Sequence, residues 1–326
     1  MSSSSSSPRV SVVMIFLNEE RFITEALHSV RSQTYTDWEL LLVDDGSTDA
    51  STAIARDEAA RCPGTVRYLE HPGHANRGMS ASRNLALAYA GGTLVSYIDG
   101  DDIWVPEKLE EQVRLLDDHP EVAFVYGPLL VWYGWTGRRE DASNDYLYGL
   151  GKHGRHPYID GVIPPPRLVE LLLSDRNFIP GGILVKRAVL DAVGGYVDEF
   201  RTQYEDVVVL VKICLTFPVY ISGRSWYMYR KHSDQTTVQA RRLGQWLSNE
   251  RRFVHWVADY AATHAIVDRG LRRALRREVL KVNYPRLADL QRRMVRSVET
   301  TWLLSRISWL IRTMARRLAL PLKRPR

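Results

Sequence analysis

Two cysteines, Cys62 and Cys214, are all that 326 residues carry, and they lie far apart in unlike segments. That spacing builds neither a disulfide framework nor a zinc site, and a reducing compartment fits it best. No uninterrupted apolar run reaches the roughly 20 residues that span a bilayer. The serines at 2–7 follow no basic start and lead into no apolar stretch, so they cannot act as a secretory signal; residues 1–8 are expected to be a disordered lead. A glycine-rich phosphate loop and a dinucleotide fingerprint are also missing. What remains is ordinary globular material, 45% hydrophobic and 25% charged, enough for one large domain and an appendage.

The net charge of +6 is unevenly spread. Residues 268–326 hold 17 Lys and Arg against 4 Asp and Glu, leaving 27 against 34 for the rest, so a mildly acidic body precedes a strongly basic tail.

Residues 10–17, VSVVMIFL, are nearly all apolar and rich in β-branched side chains, which predicts a central strand buried on both faces. Phe22, Ile23, Ala26, Leu27 and Val30 then recur at helical spacing, and residues 39–43 are apolar again. A helix with Ala53, Ile54 and Ala59, a strand near 65–69, a helix over 79–90 and a strand over 93–98 continue the alternation. That order predicts a parallel sheet covered by helices on both faces. Beyond residue 106 a helix (Leu109, Val113, Leu116) leads to an apolar run at 122–126, after which the regularity stops. Residues 134–166 are expected to be a long loop, with a strand at 182–185, a helix at 205–215 and extended chain over 219–229.

Ligands of such sheets bind beyond the carboxyl ends of the strands. Asn18 and Glu19 follow the first strand, Asp44 and Asp45 the second, and Asp99, Asp101 and Asp102 the fourth, so the acids should converge on one crevice. Carboxylates two apart in Asp99-Gly100-Asp101 suit a hard divalent cation, with Gly100 allowing a tight bend. An isolated Asp-x-Asp is equally what a solvated turn looks like. Asp45 stands where a nucleoside could bind, while Ser47 or Thr48 could simply cap the next helix. Arg83 offers a fork of donors to a phosphate, or is a plain surface arginine. Glu205 and Asp206 open an apolar helix, where either one serves as a general base or both just complement the helix dipole.

Taken in order, VSVVMIFLNEE, ELLLVDDGSTD, SASRNLALAYAGG, YIDGDDIW, VGGY and YED resemble the family 2 glycosyltransferases of GT-A fold, over residues 10–233. The resemblance implies a mostly parallel central sheet with helices on both faces, at 9–235; the charge and spacing of the tail predict a basic helical extension at 236–326. The resemblance also implies an inverting transfer of sugar from a nucleotide diphosphate sugar, with a UDP-sugar favoured over a dTDP- or GDP-sugar, to an acceptor hydroxyl. By the same resemblance Asp45 binds the base, Asp99 the ribose or diphosphate, Asp101 a Mn²⁺ or Mg²⁺ ion, and Asp206, beside Glu205, is the catalytic base. Leu17, Asn18, Glu19, Arg83 and Gly100 line the donor site, and Tyr229-Arg230-Lys231-His232 closes near the donor phosphates, with His232 on the diphosphate. Many relatives stack a tyrosine on uracil where this chain has Leu17, which loosens the uridine assignment.

Two other readings compete. A sugar-nucleotide pyrophosphorylase shares the architecture but uses a glycine-rich loop that is missing here. A degenerate nucleotide-sugar-binding module would act through its basic tail, against which Asp101 and Asp206 both stand intact. Leu303, Ile307, Leu310, Met314 and Leu318 form one apolar stripe with Arg312 and Arg316 opposite, a pattern that fits an anionic membrane surface or packing on the protein's own domain. No nucleic-acid partner is expected. The acceptor is a saccharide, a lipid-linked or another hydroxyl compound, its aromatic platform sought at 132–158. The expected location is cytoplasmic, with a peripheral place on the inner membrane face, in the assembly of cell-surface polysaccharide or glycoconjugate.

Overall fold

The structure, a computed structural model, describes residues 7–151 and 154–286. The serine lead up to residue 6 and the amphipathic stripe at 303–318 lie outside the described residues. The chain divides into two compact units, residues 1–239 and 240–326.

The first unit opens as β1 (Val10–Phe16), α1 (Ile23–Arg31), β2 (Trp38–Asp44), α2 (Ser51–Arg61), β3 (Val66–Glu70), α3 (Met79–Tyr89) and β4 (Leu94–Asp99). It continues through β5 (Ile103–Trp104), α4 (Lys108–Asp118), β6 (Phe124–Gly127), β7 (Leu129–Trp132), α5 (Arg139–Ala142), β8 (Tyr146–Tyr148), β9 (Gly161–Ile163) and α6 (Arg167–Ser174). Then come β10 (Gly181–Lys186), α7 (Arg187–Ala192), α8 (Glu205–Cys214), β11 (Val219–Ile221), β12 (Tyr227–Arg230) and α9 (Thr236–Arg242).

Eight strands form the main sheet in the order β3-β2-β1-β4-β10-β6-β11-β9. All seven residues of β1 are buried, as its apolar run requires, and each such aliphatic side chain removed from water contributes about 1.5–3 kcal/mol. β1 pairs in parallel with β2 and β4, in a register that sets Phe16 opposite Asp44 and Ile15 opposite Asp99. The acids after β2 and β4 therefore flank the end of β1. β10 runs antiparallel to both of its neighbours.

A second sheet was not foreseen: β5-β12-β7-β8. The stretch at 134–166, expected as a loop, contains α5, β8 and β9. The extended segment at 219–229 is two strands, β11 in the large sheet and β12 in the small one. β12 pairs antiparallel with β5, Tyr227 opposite Trp104 and Met228 opposite Ile103. Antiparallel pairing brings the residues just before β5 to those just after β12, and so Asp101 and Asp102 to Arg230 and His232.

In the second unit α10 (Trp246–Thr263) and α11 (Arg269–Asn283) form an antiparallel hairpin. Arg251 donates to the Val282 carbonyl and His255 meets Asn283. The Asp268 carboxylate caps α11 by accepting from the Leu271 amide at 2.8 Å. The expected boundary after residue 235 falls just before α9, and the compact units divide within that helix.

Candidate active site

The turn after β1 is stitched to the loop after β2. Asn18, at φ 59°, accepts the Thr48 amide on its side-chain oxygen at 2.7 Å and donates its own amide to the Ser47 hydroxyl at 3.0 Å. The Glu19 amide reaches the Ser51 hydroxyl at 2.7 Å. Ser47 and Thr48 therefore cap no helix, contrary to the capping reading; they fasten two strand ends together. Asn18 spends its carboxamide oxygen on the same joint, while Leu17 beside it is 40% exposed.

Asp45 is buried, accepting the amides of Arg77 at 2.8 Å and Gly78 at 3.0 Å and the Ser82 hydroxyl at 3.0 Å. It thereby fixes the start of α3. Gly78, at φ 90°, has no room for a Cβ, which would meet the Arg201 backbone at 3.0 Å.

Arg83, on α3, does not offer its fork outward as the sequence suggested. It is buried with Nη1 on Glu205 Oε1 at 2.9 Å and Nη2 on Asp99 Oδ1 at 3.2 Å, so its donors are held by two carboxylates. Glu205 is buried in that pair, which removes it as a base open to an acceptor. Burial first, then the neighbouring Asp206, push Glu205 up to about 7 against the pull of Arg83. Asp206 is exposed, its carboxylate touching only the amide of Val207 at 2.7 Å among the described partners. Tyr204, in the left-handed region at φ 63°, turns the chain so that these acids occupy the first turn of α8.

Gly100 is essential for proximity, not for bending. Its φ is unremarkable, but a Cβ there would stand 2.9 Å from the Phe16 Cβ and 3.3 Å from Glu19. Beyond it, Asp101 Oδ2 meets His232 Nε2 at 2.9 Å. Glu19, Asp101 and His232 bring one donor atom each within 4.8 Å of one another. His232, expected on the diphosphate, thus stands against the expected metal ligand. Burial, then the charges of Asp101 and Asp99, push the Glu19 carboxyl up to about 9. Asp99 rises to about 6, by desolvation first, with Arg83 opposing and Asp101 and Asp206 adding. So many acids facing one another call for a cation: the two carboxylates suit Mn²⁺ or Mg²⁺, and the imidazole beside them suits the transition metal Mn²⁺ better than Mg²⁺.

Arg230 gathers the segments bearing these groups. Its side chain is 2% exposed, with Nε on the Asp101 carbonyl at 2.7 Å and Nη2 on Glu25 of α1 at 2.6 Å. Its amide donates to Asp102 Oδ1 at 2.8 Å, and Tyr227 donates its hydroxyl to Asp102 Oδ2 at 2.7 Å. The rings of Phe22, Trp132 and Trp135 surround the guanidinium at 4.7, 5.0 and 5.4 Å. Asp102 is among the strand-end acids that the sequence points to, whereas Tyr227, Arg21 and Trp135 are not singled out by it. The position of Arg21 directly after Asn18-Glu19-Glu20 was the one available signal.

The comparisons with known proteins agree with this architecture. Residues 11–192, more than half of the chain, match the profile of the glycosyl transferase family 2. EpsE of Bacillus subtilis, whose name assigns it provisionally to the glycosyltransferases, is 37% identical over 233 residues, 70% of this chain and 75% of EpsE. Staphylococcus aureus TarS (residues 1–349), solved in complex with UDP-GlcNAc, superposes with a TM-score of 0.61 at 20% identity over 85% of this chain and 73% of that one. The mannosyltransferase PcManGT of Pyrobaculum calidifontis, solved with GDP-Man and Mn²⁺, gives 0.55 at 20% identity over 98% of this chain and 78% of that one. With sheet order, strand-end acids and family profile in agreement, the chain belongs to glycosyl transferase family 2 and has the GT-A fold.

Proposed function

We propose that this protein is a metal-dependent, inverting glycosyltransferase that moves a sugar from a nucleotide diphosphate sugar to an acceptor hydroxyl in the assembly of a cell-surface polysaccharide or glycoconjugate. The observation that carries the reading is the division of labour among the acids. Glu19 and Asp101 converge with His232 on one point, whereas Asp206, opening α8, stays exposed beside a Glu205 already paired with Arg83. One group of acids suits a cation and the other leaves a single open base.

Glu19, Asp101 and His232 would hold a Mn²⁺ or Mg²⁺ ion, which when bound supplies Lewis-acid neutralisation of the charge gathering on the departing diphosphate. Asp206 takes the proton of the acceptor hydroxyl as that oxygen attacks the anomeric carbon, and the configuration inverts. Arg83 holds the Glu205 carboxyl in place at 2.9 Å, so that the first turn of α8 carrying Asp206 is anchored to α3. The nucleotide class is supported by TarS with UDP-GlcNAc and PcManGT with GDP-Man. Exposed Leu17 offers the base an aliphatic rather than a stacking surface, which leaves dTDP and GDP open beside the UDP that the family resemblance favours.

Calorimetric titration of UDP, dTDP and GDP with and without Mn²⁺, on the wild type and Asp101→Asn, tests the donor site. Mn²⁺-dependent binding of one nucleotide, lost in the variant, is the expected result. Asp206→Asn should lower turnover by roughly 10²–10⁴ while leaving nucleotide affinity unchanged. Near-normal turnover would overturn the base assignment.

We also propose an anionic membrane surface as a partner of the C-terminal unit. α11 buries Leu271, Ala274, Leu275 and Glu278 and exposes Arg269, Arg273, Arg276 and Arg277. No helix among the described residues is long and apolar enough to cross a membrane. Flotation with phosphatidylglycerol vesicles should retain the protein at low salt and release it at high salt; no retention at low salt removes this partner.

A further inference from the structure

Arg21, two residues beyond Glu19, is a charged residue whose place the mechanism above does not explain. It is exposed, and among the described residues no carboxylate stands within ion-pair distance of it. Its neighbours have other engagements: Glu20 accepts the Ala50 amide at 2.9 Å, and Glu19 faces Asp101 and His232. What holds the guanidinium is a pair of rings, Phe22 and Trp135, each 4.9 Å from its carbon.

The first of those rings also touches the candidate metal site. Phe22 lies 4.8 Å from the His232 ring and 5.5 Å, edge on, from Trp135. Trp135 is itself anchored by its indole N–H on the Lys231 carbonyl at 2.8 Å. The same rings therefore contact two guanidiniums of opposite fate. Arg230 is buried and bonded to protein oxygens, whereas Arg21 is exposed with its hydrogen-bond donors unclaimed by protein carboxylates. A planar guanidinium is weakly hydrated and stacks well, so the rings restrict it without neutralising it. Such a restricted fork of donors, next to residues suited to a divalent cation, matches a diphosphate, whose oxygens accept bidentate hydrogen bonds and bridge to a metal.

We propose that Arg21, held on Phe22 and Trp135 beside Asp101 and His232, binds the diphosphate group of a substrate. The inference rests on the transferase reading given above and extends it to a residue outside the strand-end acids. A diphosphate can come from the nucleotide sugar or from a prenyl-diphosphate-linked acceptor, and the two sources are separable by experiment.

The test is isothermal titration of the full chain with Mn²⁺ present, using inorganic pyrophosphate, UDP and farnesyl diphosphate on wild type, Arg21→Ala, Arg21→Lys and Asp101→Asn. Arg21→Ala should weaken pyrophosphate binding by about tenfold or more, the loss expected for a charge-assisted contact. Arg21→Lys should restore only part, because the point charge survives and the fork does not. A parallel loss for UDP alone assigns the contact to the donor, and a loss for farnesyl diphosphate alone assigns it to a lipid-linked acceptor. Binding of all three within about twofold of wild type by Arg21→Ala, while Asp101→Asn abolishes it, overturns the Arg21 assignment and leaves the transferase reading standing. No Mn²⁺-dependent binding of any probe to the wild type overturns that reading and Arg21 with it.

Discussion

The two sheets of the catalytic unit contribute opposite chemistry to one crevice. The eight-stranded sheet delivers acids: Asp45 after β2, Asp99 at the end of β4 and Asp101 beyond it. The four-stranded sheet delivers Arg230 and His232 at the end of β12, and β7 carries Trp132 to its side. Acids alone at that edge would repel one another, and burial first, with that repulsion added, raises the Glu19 and Asp99 carboxyls. The small sheet offsets that repulsion from one side and Arg83 from the other. The difference teaches that the site depends on the seam between the sheets more than on either sheet alone.

The largest test of that comparison removes the compensation on the large-sheet side. Arg83→Leu leaves Glu205 buried without its ion pair and Asp99 without its cation, since both members of the Arg83–Glu205 pair have side chains under 8% exposed. Breaking a buried pair from one side costs about 3–5 kcal/mol, to be read from urea unfolding. A loss under about 1 kcal/mol would mean that the acids neutralise themselves by taking up protons.

Tyr227→Phe attacks the seam from the small-sheet side. The tyrosine hydroxyl donates to buried Asp102 and accepts the Asp99 amide at 3.3 Å, so one atom joins β12 to the end of β4. Its removal leaves a buried carboxyl short of a donor, a cost of about 1–3 kcal/mol. If β12 carries His232 into place, Mn²⁺ affinity measured by paramagnetic resonance falls together with stability. Lost stability with unchanged affinity would show that His232 is held by Arg230 and Trp135 without the tyrosine.

Gly100→Ala should be comparable or smaller, at about 1–3 kcal/mol, because the added methyl at 2.9 Å from Phe16 must displace either β1 or the Asp99–Asp102 turn. A Tm within error of wild type would show that the turn yields freely.

How much of this the sequence discloses follows from the lengths of its strands. β1, β2 and β4 run six or seven residues with nearly every side chain buried, so apolar runs announce them, and the rule that ligands gather at carboxyl ends then points to Asp45, Asp99 and Asp101. β5, β7, β8 and β12 run two to four residues, too short for a period of two to stand out. Nor does local pattern say which acids are spoken for. Arg83 meets Glu205 across 122 positions and Arg230 meets Glu25 across 205, pairings that exist only once the chain is folded. The Arg83 misreading has that cause: a helix arginine looks free until its distant partners arrive.

The seam holds one more charge-bearing group, and it predicts the smallest effect. Lys108, at the start of α4, is fully buried with Nζ on the Ser96 hydroxyl of β4 at 2.6 Å and on Gln112 Oε1 at 2.8 Å. The ring of Trp104, on β5, lies 4.0 Å away, so this side chain touches both sheets. Among the described residues no carboxylate pairs with it, and burial holds its ammonium well below the usual lysine range. The folded state therefore binds fewer protons here than the unfolded state, between the lowered folded pKa and an unfolded value near 10.4. Stability rises with pH across that window, is fully present above it and is lost as pH falls through the folded value. Lys108→Met fills the same volume without a titrating group, so its stability should depend less steeply on alkaline pH, and its deficit relative to wild type should shrink or reverse toward neutral pH. Parallel urea curves for the two proteins from neutral pH upward would instead place the lysine charge in contact with water, and the seam would then be wet where the fold makes it dry.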